Sequence, residues 1–214
     1  MALVLVAGAS RGIGLETVKR ALADGHSVRA LARSAGTILI EDENLHKITG
    51  DALDPSTVAA ALAGADAVIQ TLGAPLGPDT VLKGTTLFSR ATRVLVDGMT
   101  AAGVRRLIAV TGLGAGDSRG HGGFFYDAFV LPLMLKRLYD DKDVQEQIIR
   151  RSGLDWTIAR PGILTGGPAT GAYRALLNPK DWRAGSISRA DVADFLVKQV
   201  TDPTYLGKTP LLIT

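Results

Sequence analysis

The chain has 214 residues, 46% of them hydrophobic and 21% charged, with a formal net charge of +3; these are ordinary proportions for a globular domain built on one well-buried core. The absence of cysteine excludes disulfides and thiolate metal sites, and three scattered histidines (His26, His46, His121) have no ligand spacing, so no metal is expected. A small charge spread along the chain gives no ground for a nucleic-acid partner, and the apolar stretch 124–135, interrupted by Asp127 and Pro132, is too short to span a bilayer.

Leu3 to Val6 is an uninterrupted apolar run, the pattern of a parallel strand buried on both faces. It ends in Gly8-x-x-x-Gly12-x-Gly14, after which Leu15, Val18, Ala21 and Leu22 repeat at helical spacing and stop at Asp24-Gly25. Ser27 to Leu31 reads as the second strand and Leu45 to Ile48 as the third, ending in Gly50-Asp51. Asp54-Pro55-Ser56 opens a helix to Leu62, since proline is tolerated in a first turn. Ala67 to Gln70 is the fourth strand, residues 75–83 read as loop, and a long helix follows to about Ala102. Arg105 to Val110 is the fifth strand. The glycine-rich segment Gly112 to Gly123 after it reads either as a connecting loop or as a lid, with His121 and Tyr126 near where a substrate would lie.

Phe124 to Leu138 is expected to form an apolar helix bent near Pro132, covering the substrate pocket or meeting a second subunit. A helix carrying Val144, Ile148 and Ile149 leads to a sixth strand, Asp155 to Ala159; a late helix from Ser188 to Val200 and a last strand, Leu211 to Ile213, close the chain. Strands alternating with helices predict an α/β, doubly wound parallel sheet (a Rossmann fold) of order 3-2-1-4-5-6. The chain reads as a single domain, 1–214, with a small substrate-side region near 161–187 and ligands at the carboxyl ends of the strands.

A strand, a glycine turn and a helix start form the geometry that lays a pyrophosphate against helix N-terminal amides. The first glycine permits the turn, the second lets backbone approach phosphate, and the third lets helix and strand pack closely. After strand two, Ala30-Leu31-Ala32-Arg33-Ser34 holds no carboxylate to bind a ribose 2′-hydroxyl. Arg33, flanked by Arg11, is placed to clamp a 2′-phosphate, which selects NADPH (NADP+); the competing reading is two solvated surface arginines.

The glycine spacing with Ser10, Arg11 and Ile13 resembles the short-chain dehydrogenase/reductase superfamily. Gly50-Asp51, Thr71-Leu72-Gly73, Arg160-Pro161-Gly162 and Ile187-Ser188-Arg189-Ala190-Asp191-Val192-Ala193 fall in the same family order. Together they resemble its atypical NAD(P)H-binding group, which includes NmrA-like proteins and biliverdin-IXβ/flavin reductases, over essentially the whole chain. The resemblance implies that Gly8, Ser10, Arg11, Gly12, Ile13 and Gly14 cradle the dinucleotide and that Asp51, Ala52 and Leu53 receive the adenine. It also implies that Thr71, Leu72 and Gly73 pass beneath the ribose and that Pro161, Gly162 and Ile163 border the nicotinamide. Plainer readings stand beside these: Asp51 as a helix cap (a role Asp54 could fill), Thr71 to Gly73 as an ordinary turn, and Pro161 as a strand stop.

At the catalytic positions the pattern departs from the superfamily, which uses a serine after strand five and a tyrosine four residues before a lysine. Here Thr111-Gly112-Leu113-Gly114 follows strand five, with a glycine where the serine is expected and Thr111 as the available hydroxyl. The family lysine falls at Lys142, with Glu146 after it; Leu138 stands four residues before, and Tyr139 only three. Thr111, Tyr139 and Lys142 are therefore the catalytic candidates, Lys142 also as a ligand of the nicotinamide ribose or else as a solvated helix lysine. The reading is an NADPH-dependent oxidoreductase passing hydride to a small conjugated acceptor such as a flavin or quinone, which needs no dedicated proton donor. The alternative is a non-catalytic NAD(P)H sensor or regulatory protein of the NmrA type; a sugar-nucleotide epimerase is disfavoured by the displaced tyrosine. The expected partner is a small molecule, the expected state a monomer or homodimer without membrane or nucleic-acid contacts, and the expected location the cytoplasm, since no signal-peptide pattern opens the chain.

Overall fold

The computed structural model describes residues 1–74, 77, 84–121 and 136–214. In chain order they form β1 (Leu3–Ala7), α1 (Gly12–Ala23), β2 (Ser27–Ala32), β3 (Leu45–Thr49), α2 (Pro55–Leu62), β4 (Ala67–Gln70), α3 (Leu87–Ala102) and β5 (Arg106–Val110). Then come α4 (Lys136–Arg151), β6 (Asp155–Pro161), β7 (Ile163–Thr165), β8 (Arg174–Leu176), β9 (Ser186–Ser188), α5 (Arg189–Lys198) and β10 (Leu211–Ile213). The expected apolar helix and its bend at Pro132 fall on residues 124–138; only Lys136 to Leu138, in the first turn of α4, are among the described residues, and Tyr126 and most of loop 75–83 lie outside them too.

The main sheet has eight strands in the order β3-β2-β1-β4-β5-β6-β10-β8, so the expected 3-2-1-4-5-6 core carries two further strands at one edge. Neighbours from β3 to β10 run parallel, and β8 lies antiparallel on β10. β7 and β9 form a separate parallel pair within the region near 161–187. With three residues each, β7, β8 and β9 are too short to show an alternating pattern.

The apolar run of β1 is explained by helices on both faces. Val4 and Val6 pack with Val18 of α1 and with Val192 and Phe195 of α5, while Leu5 and Ala7 face Val58 of α2, Leu95 and Met99 of α3 and Ile149 of α4. Among the described residues no helix is long and apolar enough to cross a membrane.

The helix starts differ in one respect. Asp54 accepts hydrogen bonds from the amides of Ser56 and Thr57 at the start of α2, and Ser188 accepts from the Asp191 amide of α5. Asp141, from α4, accepts from the amides of Phe88 and Ser89 at the start of α3. α1 has no side-chain cap among the described residues and no acidic residue in its first turn.

Candidate functional site

That uncapped end is the glycine turn. Gly8 and Ala9 donate their amides to the Leu31 carbonyl of β2 (2.9 and 3.3 Å), and Thr71 fastens the end of β4 beneath them, its amide donating to the Ala7 carbonyl at 2.9 Å. The Thr71 hydroxyl donates to the same oxygen at 3.1 Å. Gly8 has φ +92°, and a Cβ there would stand 2.9 Å from the Thr71 carbonyl. A Cβ on Gly14 would stand 2.1 Å from the Gly8 oxygen, whereas one on Gly12, at φ +58°, would meet nothing within 4 Å among the described residues. Gly8 and Gly14 are thus required by packing, and Gly12 keeps an open face before amides with no cap of their own. The turn fits an anionic pyrophosphate, because helix N-terminal amides and the helix dipole both favour negative charge there.

The Ser34 hydroxyl donates to Ser10 Oγ at 2.9 Å, tying the loop after β2 to the glycine turn. Arg11 and Arg33 project from these two loops, exposed and without an ion pair among the described residues. Asp51 accepts from the Leu53 amide at 3.0 Å, closing its own turn, and Ala52 is buried. The capping of α2 falls to Asp54, whose hydrogen bonds from Thr57 and Ser56 hold its carboxyl down at about 2.

Thr111 directly follows β5, on the same carboxyl edge of the parallel sheet as the glycine turn after β1. The Lys142 ammonium donates to the Thr111 carbonyl and sits 4.9 Å from the centre of the Phe88 ring and 5.7 Å from that of Tyr139. Burial brings its pKa down to about 8, against the opposing pull of the Glu146 and Asp141 carboxylates. The three-residue spacing therefore still brings Tyr139 and Lys142 together. A Cβ on Gly112, at φ +150°, would come within 2.8 Å of the Tyr139 hydroxyl oxygen, so the phenol takes the room that a serine side chain would need.

Behind these groups lies a buried ion pair. Arg160, fully buried, donates from Nε to Glu146 Oε1 (2.9 Å) and from Nη2 to Glu146 Oε2 (2.6 Å). Nη2 also lies 2.6 Å from Asp117 Oδ1, and the guanidinium stands 5.5 Å from the centre of the Trp182 ring. The Thr111 hydroxyl donates to Glu146 Oε1 at 2.9 Å, so it faces the core. Phe88, Asp117, Trp182 and the Glu146–Arg160 pair were not read from the sequence as parts of the site. The one available signal was a charged residue, Arg160, inside the apolar run of β6, which demands a buried partner.

On the β6 side, Leu113 donates its amide to the Pro161 carbonyl and Gly162 donates to that of Leu212, both at 3.0 Å. A Cβ on Gly162 would stand 2.3 Å from the Gly185 oxygen, and Ile163 is 61% exposed. His121 meets Trp182 edge to face at 5.3 Å.

A doubly wound sheet with an anion-receptive glycine turn, and a lysine–tyrosine pair on the same edge, defines a dinucleotide-binding α/β protein. The chain belongs to the NAD(P)H-binding family, whose model matches residues 8–203. It is 30% identical over 190 residues to the uncharacterized sugar epimerase YhfK of Bacillus subtilis (strain 168), covering 83% of this chain and 77% of that one. It is 27% identical over 214 residues to the (4-alkanoyl-5-oxo-2,5-dihydrofuran-3-yl)methyl phosphate reductase of Streptomyces griseus subsp. griseus, covering 96% of this chain and 66% of the other. Its structure superposes with a TM-score of 0.80 on ChuY, an anaerobillin reductase from Escherichia coli O157:H7, at 29% identity and with 100% and 97% of the two chains covered.

Proposed function

We propose that the protein is an NADPH-dependent oxidoreductase of the atypical short-chain dehydrogenase type that passes a hydride to a small conjugated acceptor such as a flavin or quinone. Its 214 residues act as one domain, with the region near 161–187 on the substrate side. The observation that carries this reading is the convergence, on one edge of the sheet, of the uncapped α1 amides with Lys142 and Tyr139. Two of the similar proteins named above are reductases, which supports the same class.

In this reading Gly8, Ser10, Arg11, Gly12, Ile13 and Gly14 hold the pyrophosphate, and Asp51, Ala52 and Leu53 receive the adenine. Thr71, Leu72 and Gly73 run beneath the ribose, Lys142 donates to a ribose hydroxyl, and Pro161, Gly162 and Ile163 border the nicotinamide. Arg33 and Arg11, exposed on the two neighbouring loops and without a carboxylate partner among the described residues, select the 2′-phosphate of NADPH. The bound cofactor supplies the hydride. A conjugated acceptor disperses the charge it gains and takes its proton from solvent, so Tyr139 orients more than it donates. Thr111 contributes its carbonyl, because its hydroxyl is engaged by Glu146. The protein works as a cytoplasmic monomer or homodimer.

NADPH and NADH oxidation, followed with a panel of flavins and quinones, tests this. Oxidation that requires an acceptor and prefers NADPH is the expected result; tight NADPH binding without acceptor-dependent oxidation would make the protein a sensor.

A further inference from the structure

Glu146 follows Lys142 by one helical turn on α4 and is 2% exposed. Its carboxylate accepts from the Thr111 hydroxyl after β5 and from two nitrogens of Arg160 on β6. Lys142 donates to the carbonyl of the same Thr111. α4 thus grips one residue twice, by carboxylate on hydroxyl and by ammonium on carbonyl, while Arg160 braces the carboxylate from the neighbouring strand. Burying such an ion pair is a poor way to gain stability, since packed apolar side chains would join helix and sheet at lower cost. What the pair supplies is a fixed place for Thr111 and, through it, for the ammonium.

We propose that Glu146 is the positioning residue of the site: it fixes the Thr111 peptide against β6 through Arg160 and thereby sets where the Lys142 ammonium stands to hold the cofactor ribose. The inference rests on the reading of Lys142 as a ribose ligand. Among the described residues, the groups around that ammonium come from three elements. From α4 come the Glu146 and Asp141 carboxylates and the Tyr139 phenol; Phe88 of α3 lends its ring; the Thr111 carbonyl closes the β5 side. Asp141 is engaged by the amides at the start of α3, and Arg160 stands beyond Glu146, leaving Glu146 as the carboxylate that shares Thr111 with the ammonium.

The test is the NADPH dissociation constant, measured by fluorescence titration between pH 7 and 9.5 for the wild type, Lys142→Met, Glu146→Gln, Thr111→Val and Thr111→Ser. In the wild type, affinity weakens above about pH 8 as the ammonium loses its proton. Lys142→Met is weaker at neutral pH and has no alkaline limb. Glu146→Gln moves the limb down by about one pH unit, because the carboxylate favours the charged lysine. Thr111→Val keeps the Glu146–Arg160 pair, so it folds even if Glu146→Gln does not; it weakens binding about tenfold, and Thr111→Ser, which keeps the hydroxyl, recovers the loss. An unmoved limb in Glu146→Gln, or wild-type affinity in Thr111→Val, overturns the positioning role while leaving Lys142 in place. A limb that persists in Lys142→Met overturns the assignment of Lys142 itself.

Discussion

Gly14 lies so close to Gly8 that a methyl group on its Cα would stand 2.1 Å from the Gly8 carbonyl oxygen and 2.7 Å from Thr71 Oγ1. α1 therefore starts directly on the turn that closes β1, with no side chain between. Gly14→Ala is expected to lose about 1–3 kcal/mol or more of stability in urea unfolding, the usual cost of overpacking a site that cannot relax. Gly12→Asn, whose side chain meets nothing within 4 Å among the described residues and whose φ of +58° strains asparagine less than most residues, is expected to lose clearly less than Gly14→Ala. Equal midpoints for the two variants would contradict this division of roles.

Arg33 tests cofactor choice. A charge-assisted hydrogen bond to the 2′-phosphate contributes about 1.5–3 kcal/mol, so Arg33→Ala should weaken NADPH about tenfold or more and leave NADH nearly unchanged. Titration with both cofactors gives the ratio; an equal loss for both removes the phosphate clamp.

Tyr139 tests the acceptor class. If the acceptor is conjugated, Tyr139→Phe keeps most of its flavin or quinone turnover in steady-state assays. General acid catalysis contributes about 10²–10⁴-fold, so a loss of that size would place the enzyme among tyrosine-dependent carbonyl reductases.

The cap of α2 predicts a pH dependence. Hydrogen bonds from Thr57 and Ser56 hold Asp54 at about 2 in the folded chain, below its unfolded value near 4. Its stabilisation is therefore complete above pH 4 and fades as the pH falls towards 2. The Tm difference between the wild type and Asp54→Ala should be constant from pH 7 to about 4 and shrink below that. A difference that grows on acidification contradicts the assignment.

The strand order was legible because both faces of the sheet are covered, which turns β1 and β4 into plain apolar runs ended by glycine or threonine turns. The close joint between β1 and α1 was legible for a related reason: Gly8 and Gly14 stand where a Cβ would strike neighbouring backbone. Spacing left two questions open that contacts answer. Asp51 and Asp54 both stood before α2, and Asp54 holds the amides. Tyr139 lay one residue off the family register, and the missing side chain at Gly112 admits its phenol. The Glu146–Arg160 pair was hidden because its partners are 14 residues apart and meet only once α4 packs on β6.

Acceptor-dependent oxidation of NADPH, compared between the wild type and Gly12→Asn, tests the proposed chemistry most directly. The wild type should oxidise NADPH only with a flavin or quinone present, and faster than NADH. Gly12→Asn, folded but with a side chain where the proposed function puts the pyrophosphate, should lose that activity. Wild-type rates in Gly12→Asn, or tight NADPH binding by a wild type that reduces no acceptor, would contradict a reductase built on this turn.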